Sequence, residues 1–132
     1  MSITVGQIGL GVLGSAMAPN IMKSGFSLIG YDVRAVAVEE MAAAGMIAAT
    51  DPKDVADIFI PCLPSAASLM EVASAIAAAG VNGQIVLETS TLSVADKEAA
   101  RDIIEAAGGR MLDCPVSGNR ILAVKKQLTA FA

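Results

Sequence analysis

Between Gly6 and Gly25 the chain reads GQIGLGVLGSAMAPNIMKSG, with five glycines and no charged side chain before Lys23. Glycine costs conformational entropy in any helix or strand. A segment this rich in it is either a loose linker or a place where backbone must come close to something. Its internal order argues for the second. Gly9-Leu10-Gly11-Val12-Leu13-Gly14 follows a strand-like apolar run over residues 3–8, and Leu13, Met17 and Ile21 then recur at helical spacing. Gly25 suits the stop of that helix. The unit is strand, tight turn, helix. Pro19 falls about two turns into the helix, where it removes a backbone hydrogen bond, so a kink or opened turn is expected there.

The same alternation continues. Strands are expected over residues 26–31, 57–62, 84–88 and 110–113, with a possible short one over 46–49. Helices are expected over 34–44, 68–79 and 93–107, with Gly45 and Gly108 as stops. TDPKDVAD at 50–57 reads as a capped helical turn with Pro52 at its first position. In the helix over 93–107, Ser93 can cap, with Asp96 three residues on, and Ala95, Ala99, Ile103 and Ala107 are expected to share one face. Strand alternating with helix is the signature of a parallel sheet with right-handed crossovers. Runs such as IFI and IVL are apolar throughout, as strands buried on both faces are. An α/β fold of the Rossmann type is expected, a doubly wound and mainly parallel sheet, as one domain over 1–132.

A turn of the form G-x-G-x-x-G is a weak signal alone. It gains meaning from the strand before it, the helix after it, and Asp32 at the end of the next strand, about 20 residues on. Gly9 permits the tight turn, Gly11 lets a pyrophosphate approach the backbone, and Gly14 lets helix and strand pack closely. The free N–H groups and positive end of the helix then face the phosphates. Asp32 is placed to accept from adenosine ribose hydroxyls and to repel a 2′-phosphate, which favours NAD over NADP. Arg34 keeps NADP open, since its guanidinium could bind that phosphate. Close packing without a ligand, or a flavin or S-adenosylmethionine, are the competing readings of the glycines.

Composition narrows the partners. In 132 residues, 55% are hydrophobic and 17% charged, which suits a folded domain. The net charge of −4, the absence of a basic run and of Trp argue against nucleic acid and anionic membranes. Residues 1–22 are uncharged but lack a basic n-region, and glycines, Pro19 and Asn20 interrupt them. Neither a signal peptide nor a membrane span is expected, and a cytoplasmic setting is. The two cysteines, Cys62 and Cys114, read as reduced thiols, and with no His a metal site is not expected.

Three other strand ends carry suggestive residues. In CLPS, Leu63 and Pro64 form either a rigid lip over a cofactor or an ordinary turn. In ETSTLS, Ser93 is the better helix cap, leaving Ser90 and Thr91 free for a nicotinamide ribose or carboxamide. In DCPVSGN, Ser117 and Gly118 either present donors to a substrate carboxylate or merely turn the chain. Moving a hydroxyl proton needs an acid–base group, commonly Lys or His. There is no His, and Lys23, Lys53 and Lys97 read as solvated helix charges, so no catalytic residue is assigned.

Together these segments resemble the β-hydroxyacid dehydrogenase family, whose members include 3-hydroxyisobutyrate, L-threonate and, more distantly, 6-phosphogluconate dehydrogenases and tartronate semialdehyde reductase. IGLGVLGSAMAPN resembles its G-L-G-x-M-G-x-x-M-A-x-N signature, CLP its M-L-P, ETSTLS its D-x-S-T, and LDCPVSG its L-D-A-P-V-S-G-G. The resemblance implies that Gly9, Leu10, Gly11, Val12, Leu13, Gly14, Asp32, Leu63, Pro64 and Thr91 contact the cofactor. It implies that Ser117 and Gly118 contact a small hydroxy acid. Leu13 replaces Met, Asn119 replaces the second Gly of S-G-G, and Leu122 stands where many members have Gly. Family members continue into an all-helical domain that supplies the catalytic Lys. That domain is expected to be missing from this chain, which would then bind dinucleotide without turnover. A stand-alone binding or interaction module is the alternative. The mean hydropathy of +0.64 agrees with an apolar face meant for a partner domain, or covered by self-association as a homo-oligomer.

Overall fold

A computed structural model describes residues 2–53, 56–80 and 82–132. Six parallel strands form the main sheet: β1 (Thr4–Ile8), β2 (Ser27–Tyr31), β3 (Ile47–Ala48), β4 (Ile58–Pro61), β5 (Ile85–Glu88) and β6 (Arg110–Asp113). Their spatial order is β3-β2-β1-β4-β5-β6. Helices α1 (Gly14–Lys23), α2 (Ala35–Ala43), α3 (Ala66–Ala78) and α4 (Val94–Ala106) connect them. The chain then forms β7 (Val116–Ser117), α5 (Arg120–Val124) and β8 (Thr129–Ala130), with β7 and β8 paired antiparallel in a sheet of their own. Part of TDPKDVAD, at Asp54 and Val55, lies outside the described residues.

Side chains alternate across a strand, and β1 shows how this sorts the core. Val5 packs with Leu28, Ala18 and Ala37 beneath α1 and α2, while Ile8 packs with Phe59, Leu69, Val86 and Ile104 beneath α3 and α4. Helices therefore cover both faces, the doubly wound arrangement expected. The strand order reverses at β1, whose neighbours β2 and β4 lead away in opposite directions. In open α/β sheets the crevice at such a point, beyond the carboxyl ends of the strands, takes the ligand.

Helix α1 runs through Pro19 as one element, with the Ser15 carbonyl deprived of its helical donor. One local expectation differs in part. On α4 the buried residues are Lys97, Ala100 and Ile104; Ile103 and Ala107 pack against the same core as expected, while Ala95 and Ala99 are exposed. Alanine fits either face, and the face was decided instead by what Lys97 reaches.

Candidate functional site: the cleft at the switch point

The glycine turn leaves β1 and doubles back under β4. At Gly9 φ is +96°, and a Cβ there would stand 2.2 Å from the Cys62 carbonyl oxygen. At Gly14 a Cβ would stand 2.0 Å from the Gly9 carbonyl oxygen. Both positions therefore require glycine for contacts inside the fold. Gly11 differs: no heavy atom lies within 4 Å of where its Cβ would be. It borders a cavity of about 980 Å³ lined by the 9–14 turn, Asp32, Arg34, Leu63 and Pro64.

The start of α1 faces this cavity without a cap. Leu13 stands at the N-cap and makes no side-chain bond, and the first turn holds no acidic residue. Among the described residues, no acceptor takes the N–H groups of Gly11, Val12 or Leu13. Unsatisfied N–H groups and the helix dipole make such an end a ready anion site.

Asp32 fixes the turn to β2. Its Oδ2 accepts the Leu10 N–H at 2.7 Å, and its Oδ1 accepts the Arg34 N–H at 2.9 Å and Arg34 Nε at 3.2 Å. Arg34 Nη2 also donates to the Leu10 carbonyl at 3.2 Å. Burial pushes the Asp32 carboxyl up, but the bonds from Arg34 and Leu10 outweigh it and hold the group below the usual carboxylate range. Arg34 Nη2 also stands 3.5 Å from Oδ2, so all four or so lone-pair sites of the carboxylate face donors, and a ligand hydroxyl would take the place of that longest bond.

The opposite lip is braced from β5. The Leu63 N–H donates to Ser90 Oγ at 2.8 Å, and the Ser90 N–H donates to Glu88 Oε1 at 3.0 Å. Thr89 Oγ1 donates to the Pro61 carbonyl at 2.7 Å. Ser90, expected to be free, is buried and spent on this brace. Cys62 lines the cavity as well. Burial and the nearby Glu88 charge push its thiol up, against a hydrogen bond with Thr89, so it is not a ready nucleophile.

Lys97 is the largest correction. It is 6% exposed, with Nζ 3.1 Å from Glu88 Oε2 and 2.5 Å from Asp113 Oδ1. Burial alone would push its ammonium down; the two carboxylates more than offset this and hold it above the usual lysine range. It knits the ends of β5 and β6 to α4. The signal in the sequence was its place three and seven residues before Ala100 and Ile104, on the apolar face.

Thr91, Ser117 and Gly118 stand outside the lining of the cavity, all three exposed. Ser117 lies in β7, and Asn119 caps α5 by accepting the Leu122 N–H at 3.0 Å. Three residues that sequence reasoning missed join this segment to the cleft or line it. Asn20 Nδ2 donates to the Ala123 carbonyl at 2.8 Å, Arg120 reaches the glycine turn, and Ser68 lines the cavity at the start of α3.

A family model described as the NAD binding domain of 6-phosphogluconate dehydrogenase matches residues 4–132. Mitochondrial 3-hydroxyisobutyrate dehydrogenase of Mus musculus is 39% identical in a 121-residue alignment that covers 86% of this chain and 36% of that protein. NAD-dependent L-serine dehydrogenase of Pseudomonas aeruginosa is 34% identical in a 128-residue alignment that covers 92% of this chain and 43% of that one. The solved structure of Mycobacterium tuberculosis 3-hydroxyisobutyrate dehydrogenase with L-serine superimposes with a TM-score of 0.93 at 29% identity, covering 98% of this chain and 46% of its own. The chain thus spans less than half the length of these relatives. Among the described residues no helix is long and apolar enough to cross a membrane.

Proposed function

The chain belongs to the family of the NAD-binding domain of 6-phosphogluconate dehydrogenase, and from that premise we propose that the switch-point cleft serves a 3-hydroxyacid dehydrogenase as its dinucleotide site. The observation that carries the reading is the uncapped start of α1 opening, at Gly11, onto a cavity that also holds Asp32. In this reading the N–H groups of the 9–14 turn take the pyrophosphate. Asp32 accepts from the adenosine ribose, and Arg34, paired to Asp32, lies beside it. Leu63 and Pro64, braced by Ser90, bound the nicotinamide side, where Thr91 adds a hydroxyl. Ser117 and Gly118 belong to the substrate side, toward a small hydroxy acid.

When bound, the nicotinamide supplies a hydride donor or acceptor. The side chains of this chain bind and orient. Among the described residues no Lys or His lines the cavity, and Lys97 is held by two carboxylates. In this reading the 132-residue chain serves as a cofactor domain that binds dinucleotide without turnover.

Titration with NADH and NADPH tests this. NADH is expected to bind more tightly, because the Asp32 carboxylate repels a 2′-phosphate. Binding of neither at millimolar concentration would sink the reading. Asp32→Ala should weaken NADH more than NADPH; equal losses would remove Asp32 from the ribose contact.

A further inference from the structure

Resting on the dinucleotide reading above, we infer that Arg120 meets the pyrophosphate from outside the glycine turn and so ties the Ser117 and Gly118 loop to an occupied cleft. Arg120 opens α5 and lines the same cavity. Its Nη1 donates to the Val12 carbonyl at 3.0 Å and to Ser15 Oγ at 2.9 Å. Those two bonds use both Nη1 hydrogens and hold the guanidinium at the mouth of the turn. Nε and Nη2 are left without a partner among the described residues.

The electrostatics of this position point to an anion. Among the described residues no carboxylate lies within 4 Å of Arg120. A cation beside the positive end of a helix is unfavourable by itself, and here it stands next to N–H groups that also lack an acceptor. A pyrophosphate satisfies both sets of donors at once, and guanidinium suits phosphate geometry. The placement is built rather than incidental. Asn20 fastens α5 to α1 through the Ala123 carbonyl, and Asn119 caps α5 immediately before Arg120. Arg120 lies three residues after Ser117, so a phosphate that fixes the guanidinium also fixes the start of the substrate-side loop.

The test uses the 132-residue chain with Arg120→Met and Arg120→Lys, titrated with NADH, ADP-ribose and adenosine at low and high salt. Arg120→Met is expected to lose roughly tenfold or more in affinity for NADH and ADP-ribose, the scale of one charged hydrogen bond. Its remaining affinity should depend less on salt, and Arg120→Lys should recover part of the loss. Adenosine, which has no phosphate, should bind all three proteins alike, and so reports that the cleft is folded. Hydrogen exchange over residues 116–124 should slow on adding NADH to the unsubstituted chain and not to Arg120→Met. Unchanged NADH affinity in Arg120→Met, a parallel loss of adenosine, or protection that persists in that variant would each overturn the proposal. If the unsubstituted chain binds no NADH, the reading of the cleft falls and the proposal with it.

Discussion

Asp32 holds the backbone of Leu10: its Oδ2 accepts the Leu10 N–H at 2.7 Å across a separation of 22 residues. The residue read as the ribose acceptor is thus also the anchor of the glycine turn. Because its partners lower the carboxyl below its unfolded value of about 3.9, its stabilising contribution is complete above that value. It is lost as pH falls through the lower folded value. Acid unfolding should therefore steepen below about pH 4 in the unsubstituted chain, and less so in Asp32→Ala. At neutral pH Asp32→Ala should cost about 2 kcal/mol by chemical denaturation, the scale of a charged hydrogen bond. An acid transition that Asp32→Ala leaves unaltered would count against this anchor.

Lys97 gives the opposite sign. Its folded pKa lies above the usual lysine value, so its contribution is complete below about pH 10 and lost as pH rises through the folded value. Lys97→Met would leave Glu88, fully buried, as an unpaired charge. The expected cost is about 3 kcal/mol, at the low end for a broken buried pair because Asp113 is half exposed. Adding Glu88→Gln should recover part of it. A double variant no more stable than Lys97→Met would show that the pairing is not what stabilises this corner.

Ser90 joins the cleft to that corner. Ser90→Ala strands the Leu63 N–H, whose acceptor it is. A loss of roughly 1–2 kcal/mol is expected from the unsatisfied donor, together with weaker NADH binding and little change for adenosine. Equal weakening of both ligands would mean that the brace supports the whole cleft and not its nicotinamide side.

What the sequence made legible was local. A strand, a glycine turn, a helix and Asp32 lie within one βαβ stretch, and right-handed crossovers then leave few sheet orders. Lys97 escaped because its burial depends on Glu88 and Asp113, carboxylates at the ends of two different strands. Arg120 escaped for the same reason, since it bonds Val12 across 108 residues. Polar residues read as solvated by default, and only the assembled sheet shows which of them have partners inside. The resemblance supplied Leu63 and Pro64 at the cleft, but not the Ser90 and Glu88 chain that braces them.

The glycines of the turn separate binding from folding. A methyl group at Gly14 would meet the carbonyl oxygen of Gly9, which is backbone and cannot swing aside. Gly14→Ala should cost about 3 kcal/mol or prevent folding, as overpacking against a fixed neighbour does. A methyl group at Gly11 meets nothing within 4 Å, so Gly11→Ala should unfold within about 0.5 kcal/mol of the unsubstituted chain. The same methyl group would stand where the pyrophosphate has to approach the N–H groups of the turn. Gly11→Ala should therefore lose NADH and ADP-ribose affinity by about tenfold or more while keeping adenosine. A stable Gly11→Ala that binds NADH normally would move the phosphates away from this turn, and with them the reason for its open glycine.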